Sequence, residues 1–107
     1  MSETTIAEVN DASFESEVLG ADTPVLVLFR ADWCGPCRAV EPIVEQLADE
    51  AQPDVEFFQV DVDRNPQTPS YYGVKSLPTF LRFEDGEVVD RLVGAVHRSL
   101  LEPLFGC

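Results

Sequence analysis

Two cysteines lie two residues apart in Trp33-Cys34-Gly35-Pro36-Cys37, directly after the apolar run Val25 to Phe29 and directly before a segment patterned as a helix. That order dictates a local fold of strand, short loop, cysteine pair and helix. It sets Cys34 at a helix N-terminus, where backbone N–H groups have no partner inside the helix and the dipole favours negative charge. A thiolate is such a charge, and it is the form of cysteine that attacks disulfides. Spacing and context together predict a dithiol–disulfide exchange site.

The flanking pattern extends this unit in both directions. Thr5 to Val9 is predicted as a first strand, and Asn10 or Asp11 as the cap of a helix running to about Leu19. After a loop from Gly20 to Pro24, the continuous apolar run of Pro24 to Ala31 reads as a central strand buried on both faces. Arg38 to Ala51 carries Val40, Ile43, Val44, Leu47 and Ala48 at helical spacing, with Pro42 expected to remove one hydrogen bond and kink the helix. Val55 to Val62 is rich in strand formers, and Asn65 to Tyr72 reads as a short irregular helix. Thr79 to Phe83 and Val88 to Val93 flank Glu84-Asp85-Gly86-Glu87, a hairpin signal. Val96 to Phe105 reads as a last helix, with Pro103 near its end. The alternation of strand and helix predicts a mixed sheet with helices on both faces, in a single domain spanning residues 1–107.

Charge narrows the function. Twenty acidic residues stand against seven basic ones, for a net charge of −13, and Lys75 is the sole lysine. Such a chain is unsuited to nucleic acid, which needs cations on its phosphates. The acids are spread along the chain, as on an ordinary solvated surface, but acid excess with almost no lysine resembles the composition of proteins from salt-loving organisms, so adaptation to high salt, where screening removes self-repulsion, is expected. No apolar run is long enough to span a membrane, and the acidic N-terminal segment lacks the pattern of a secretory signal, so a cytoplasmic location is expected.

The cysteine pair has two competing readings, a structural pair in a buried turn and a zinc site completed by His97 and Cys107. Zinc is disfavoured because His97 and Cys107 lack the compact pair spacing of zinc ligands. No metal is expected. Cys107 reads as a passive thiol, as one half of an intermolecular disulfide, or as a third exchanging thiol.

Along essentially its full length the chain resembles the thioredoxin family. The resemblance rests on Trp33-Cys34-Gly35-Pro36-Cys37 after the apolar strand, Pro42, and Asp61-Val62-Asp63-Arg64-Asn65-Pro66. It extends to Tyr72-Gly73-Val74, Leu77-Pro78-Thr79-Phe80, Asp85-Gly86 and Val93-Gly94-Ala95. It implies the thioredoxin fold: α/β in three layers, α/β/α, with a five-stranded mixed sheet and four helices. It also implies a general protein-disulfide reductase with no bound cofactor, only a redox-active Cys34–Cys37 disulfide. Cys34 would be the exposed nucleophile and Cys37 the buried resolving cysteine. Pro78 matches a cis-proline, and the backbone of Leu77 would pair with substrate backbone. Trp33, Gly35, Pro36, Leu77, Pro78, Gly94 and Ala95 would form the partner groove. The implied partners are a thioredoxin reductase as electron donor and disulfide-containing proteins. The chain would be monomeric, or a dimer linked through Cys107.

Three positions depart from the family pattern. A buried aspartate usual in the family falls at Leu28, its lysine partner falls at Gln59, and a frequent tryptophan falls at Arg30. The first two leave the proton of Cys37 without its usual acceptor. Solvent water, an ordered water chain and the departing Cys34 sulfur are the remaining routes. Two functional alternatives accompany the reductase: a binding module on the same fold that needs no turnover, and a dedicated oxidase or isomerase.

Overall fold

A computed structural model describes residues 6–50, 54–94 and 97–105. Its sheet has five strands: β1 (Ala7–Glu8), β2 (Val25–Arg30), β3 (Glu56–Asp61), β4 (Thr79–Glu84) and β5 (Glu87–Val93). They are ordered β1-β3-β2-β4-β5. The pairs β1/β3 and β3/β2 are parallel, whereas β2/β4 and β4/β5 are antiparallel. A π-helical turn (Glu15–Leu19) and three α-helices complete the fold: α1 (Gly35–Glu50), α2 (Gln67–Tyr71) and α3 (Arg98–Phe105). The five-stranded mixed sheet with four helical segments agrees with the expected fold.

The strand β2 holds the centre because both of its faces are apolar. Successive side chains of a strand point to opposite faces. Val25, Val27 and Phe29 enter a core with Phe14, Val18, Val60, Leu81 and Phe83, on the side of the π-turn. Leu26 and Leu28 enter a second core with Val40, Val44, Leu47, Phe80, Leu101 and Phe105, under α1 and α3. The helix α1 reaches that core through Val40, Val44 and Leu47, which share one face, and it runs unbroken through Pro42. Asp85 and Gly86 both take positive φ, 54° and 80°, in the two-residue β4–β5 turn. This geometry matches the right-handed twist of the flanking strands.

One expected element differs. The helix predicted from Asn10 or Asp11 begins later, as the Glu15–Leu19 turn closed by the Gly20 N–H on the Glu15 carbonyl at 2.9 Å. Asn10 instead closes a tight turn by accepting the Ser13 N–H at 2.8 Å. Asp11 caps a different helix. Its carboxylate accepts the N–H of Gln67 at 3.1 Å, the N–H of Thr68 at 2.9 Å and the Thr68 hydroxyl at 2.6 Å. Both residues are cap formers, as their composition suggests, but a cap residue does not name the helix it serves. The first strand is also shorter than the predicted Thr5 to Val9. The predicted ends at Thr5, Ala51 and Val96 fall outside the described residues, as do Ala95 and Cys107. No helix among the described residues is long and apolar enough to cross a membrane.

Candidate active site

The site is built where β2 ends and α1 begins. The strand delivers the chain to Ala31, which is fully buried, and the Cys34 N–H closes the loop on the Ala31 carbonyl at 3.1 Å. The Cys34 carbonyl accepts the N–H of Arg38 at 3.2 Å, the first bond of α1. Cys34 therefore sits at the helix start, as the spacing predicts. It is joined to Cys37 in a disulfide with Cα atoms 5.2 Å apart. The backbone N–H of Cys37 points at Cys34 Sγ, 3.1 Å away. That donor sits where a Cys34 thiolate would carry its charge once the disulfide is reduced, and hydrogen bonding to the charged form favours ionisation.

The two sulfurs differ in access, though less than expected for an exposed nucleophile. Cys34 is 4% exposed and Cys37 0%. Both pack with Ala31, Val62 and Leu77, and in the oxidised pair this apolar bed covers most of Cys34. An approaching sulfur can meet Cys34 only. Beside it Trp33 is 68% exposed, and its indole N–H donates to Asp63 Oδ2 at 2.8 Å. The ring is thus held as a projecting wall and is not a core aromatic.

The Leu77–Pro78 peptide is cis, as expected at Pro78. The Pro78 carbonyl accepts the Gly94 N–H at 2.8 Å, which fastens the β5 end to the proline segment. Gly94 has φ of 103°, a conformation open to glycine and strained for any side chain. Gly35 and Pro36 are exposed at the helix start.

Next to the disulfide lies a largely apolar cleft of about 410 Å³ between Trp33 and α2. Its walls include Trp33, Val62, Pro66, Pro69, Val74 and Leu77, with Lys75 at the rim. Trp33 and Leu77 were expected in a groove. Val62, Pro66, Pro69, Val74 and Lys75 were not assigned to it, although the Asn65-Pro66 and Tyr72-Gly73-Val74 segments were themselves conspicuous. Gly35, Pro36, Pro78 and Gly94 are not among the walls of this cleft.

On the far side of β2, Leu28 is buried among core side chains and paired in register with Gln59, whose amide donates to the Ile6 carbonyl at 2.7 Å. Arg30, with its side chain 12% exposed, binds Asp32 at 3.0 Å and Glu41 at 3.2 Å. The guanidinium thereby ties the end of β2 to both the active-site loop and the second turn of α1. No signal in the sequence marked this clamp. Among the described residues no three His, Cys, Asp or Glu side chains converge as a metal centre requires, and His97 is exposed.

Comparison with known proteins agrees with this geometry. The thioredoxin family model matches residues 5–104. The chain is 45% identical over 97 residues to a thioredoxin of Porphyra purpurea, covering 91% of each chain. It is 46% identical over 95 residues to thioredoxin 1 of Nostoc sp., covering 89% of each. It is 42% identical over 96 residues to a thioredoxin of Rickettsia prowazekii, covering 90% of this chain and 91% of the relative. With the disulfide at the helix start, the cis Leu77–Pro78 bond and similarity over about nine-tenths of the chain, the chain belongs to the thioredoxin family and is a thiol–disulfide oxidoreductase whose redox centre is the Cys34–Cys37 pair.

Proposed function

We propose that the protein is a single-domain, general reductant of protein disulfides, with Cys34 as nucleophile and Cys37 as resolving thiol. The observation that carries this reading is the asymmetry at the start of α1: Cys34 has the open edge and receives the Cys37 N–H, while Cys37 is closed off. The Cys34 thiolate attacks one sulfur of a partner disulfide, forming a Cys34–partner bond and releasing the second partner sulfur as a thiolate. Cys37 gives up its proton and attacks Cys34 Sγ. The Cys34–partner bond breaks, the partner leaves with two added electrons, and the Cys34–Cys37 disulfide remains. The 5.2 Å spacing of the two Cα atoms keeps this closure intramolecular.

Trp33, Gly35, Pro36, Leu77, Pro78, Gly94 and Ala95 form the partner surface in this reading. The exposed indole, the cis-proline and its bond to Gly94 support that assignment. Electrons return from a separate thioredoxin reductase. Leu28 and Gln59 stand in place of the buried aspartate–lysine pair of the family, so the proton of Cys37 leaves by another route. The excess of acids, 20 against seven basic residues, supports adaptation to high salt.

The test is Cys37→Ser challenged with a disulfide-bonded protein. A stable adduct through Cys34 is the expected result. Adducts mapping to Cys107 would overturn the assignment. A measured redox potential on the oxidising side would favour an oxidase or isomerase, and a role unchanged in Cys34→Ser/Cys37→Ser would favour a binding module.

A further inference from the structure

This inference rests on the reductase reading above and concerns its least supplied step, the removal of the proton from Cys37. Beside Leu28 the fold opens a cleft of about 260 Å³, wide enough for several waters. Around it stand Glu8 from β1, Leu28 and Arg30 from β2, Glu41 and Glu45 from α1, and Gln59 from β3. We propose that Glu41 is the proton acceptor for Cys37 in the resolving step, reached through water in this cleft.

Position singles out Glu41. It lies four residues after Cys37 in α1, so the two share a helix face with Cβ atoms roughly 5–6 Å apart. That gap suits one bridging water. The Arg30 Nε–Glu41 Oε2 bond of 3.2 Å turns the carboxylate toward the end of β2, the same end against which Cys37 packs. The other acids are worse placed. Glu45 is a further turn away, Glu8 is on an edge strand, and Asp32 is exposed and bound to Arg30. Asp61 is occupied by the Asp63 N–H and faces Arg64.

The Arg30 guanidinium is shared between Glu41 and Asp32, and Glu8 and Glu45 line the same cleft as Glu41. The step is balanced. The Cys37 S–H gives its proton to the bridging water, which passes one to Glu41. The Cys37 thiolate attacks Cys34 Sγ, and the partner sulfur leaves with the bonding pair. The proton on Glu41 leaves to solvent through the mouth of the cleft.

The experiment separates the two chemical steps by rapid mixing. Adduct formation is measured in the Cys37→Ser background, and resolution is measured with both cysteines present, each as a function of pH. Glu41→Gln should leave adduct formation unchanged, slow resolution at neutral pH by roughly tenfold or more, and make it rise more steeply toward alkaline pH. Glu17→Gln, an equal loss of charge at a distant exposed site, should do neither. Identical resolution profiles for the parent and Glu41→Gln would overturn the proposal. Should Glu41→Gln fail to fold, the parent supplies the answer by carboxyl ¹³C titration in the reduced state. The Glu41 resonance should sense a thiol titration that Cys37→Ser abolishes, and a resonance indifferent to that substitution overturns the proposal equally. Failure of Cys34 to form any adduct would instead sink the reductase reading, and this inference with it.

Discussion

Replacing Asp11 by alanine tests whether one carboxylate, 56 residues away in sequence, holds the N-terminal end of α2. In the structure that carboxylate accepts three hydrogen bonds, from Gln67 N–H, Thr68 N–H and the Thr68 hydroxyl. Gln67 is exposed, so its freed N–H finds water. Thr68 is buried, and its groups lose an acceptor they cannot easily replace. An N-cap substitution costs about 0.5–2 kcal/mol, and the buried Thr68 groups place this one near the upper end, at about 2 kcal/mol. For a domain of this size that corresponds to a fall in Tm of roughly 10 °C. Asp11→Asn keeps one accepting oxygen and should cost about half as much.

The pH dependence gives a second handle. Partial burial pushes the Asp11 carboxyl up, but the bonds from the Thr68 side chain and from the Thr68 and Gln67 N–H groups outweigh it and hold it below its ordinary value. A carboxyl whose folded value is depressed contributes stability that is present above the unfolded value and is lost as pH falls through the folded one. The gap between parent and Asp11→Asn should therefore be full at neutral pH and close in acid. Urea unfolding followed by the fluorescence of Trp33, the single tryptophan, measures both, and Pro69 and Ser70 of α2 line the same cleft as Trp33. A gap that persists unchanged in acid, or an Asp11→Ala cost under about 0.5 kcal/mol, would refute the capping argument.

Two further outcomes are expected. The Tm should rise clearly between dilute buffer and molar potassium chloride, because 20 acids repel one another until screening shortens their range to ~3 Å; a flat or falling curve counts against salt adaptation. Leu28→Asp should destabilise the fold by several kcal/mol, since it removes a buried side chain and brings a carboxylate into an apolar core. Desolvation raises that new carboxyl, so the deficit should grow as pH rises above the unfolded aspartate value. Parent-like stability in urea would mean that the cleft already solvates position 28.

What the sequence made legible was whatever depends on neighbours in the chain. The β2–loop–α1 unit was readable because an apolar run, a Cys-X-X-Cys spacing and a helical stripe are all local patterns. The Asp85-Gly86 turn was readable for the same reason. The cis-proline at Pro78 and the roles around it came through family resemblance, since nothing in the residues beside Pro78 demands that isomer. The misplaced first helix shows the limit. Asp11 looks like a cap for the segment that follows it, and only the folded chain brings it to Thr68. Likewise Pro66, Pro69 and Val74 reach Trp33 through tertiary packing, and Arg30 finds Glu41 across an eleven-residue gap in the sequence.

Having two apolar faces on β2 creates an alignment problem. A strand with one polar face cannot slip by a residue without burying charge. Here a slip would merely exchange Val25, Val27 and Phe29 for Leu26 and Leu28, so hydrophobicity by itself tolerates the wrong frame. The frame must be set at the ends. There the Glu56 N–H meets the Pro24 carbonyl at 3.0 Å, the Val62 N–H meets the Arg30 carbonyl at 3.0 Å, and the Arg30 guanidinium grips Asp32 and Glu41. Arg30 thus works as an indexing pin. It fixes where the strand stops, and so how far along the helix start Cys34 is presented to an incoming sulfur.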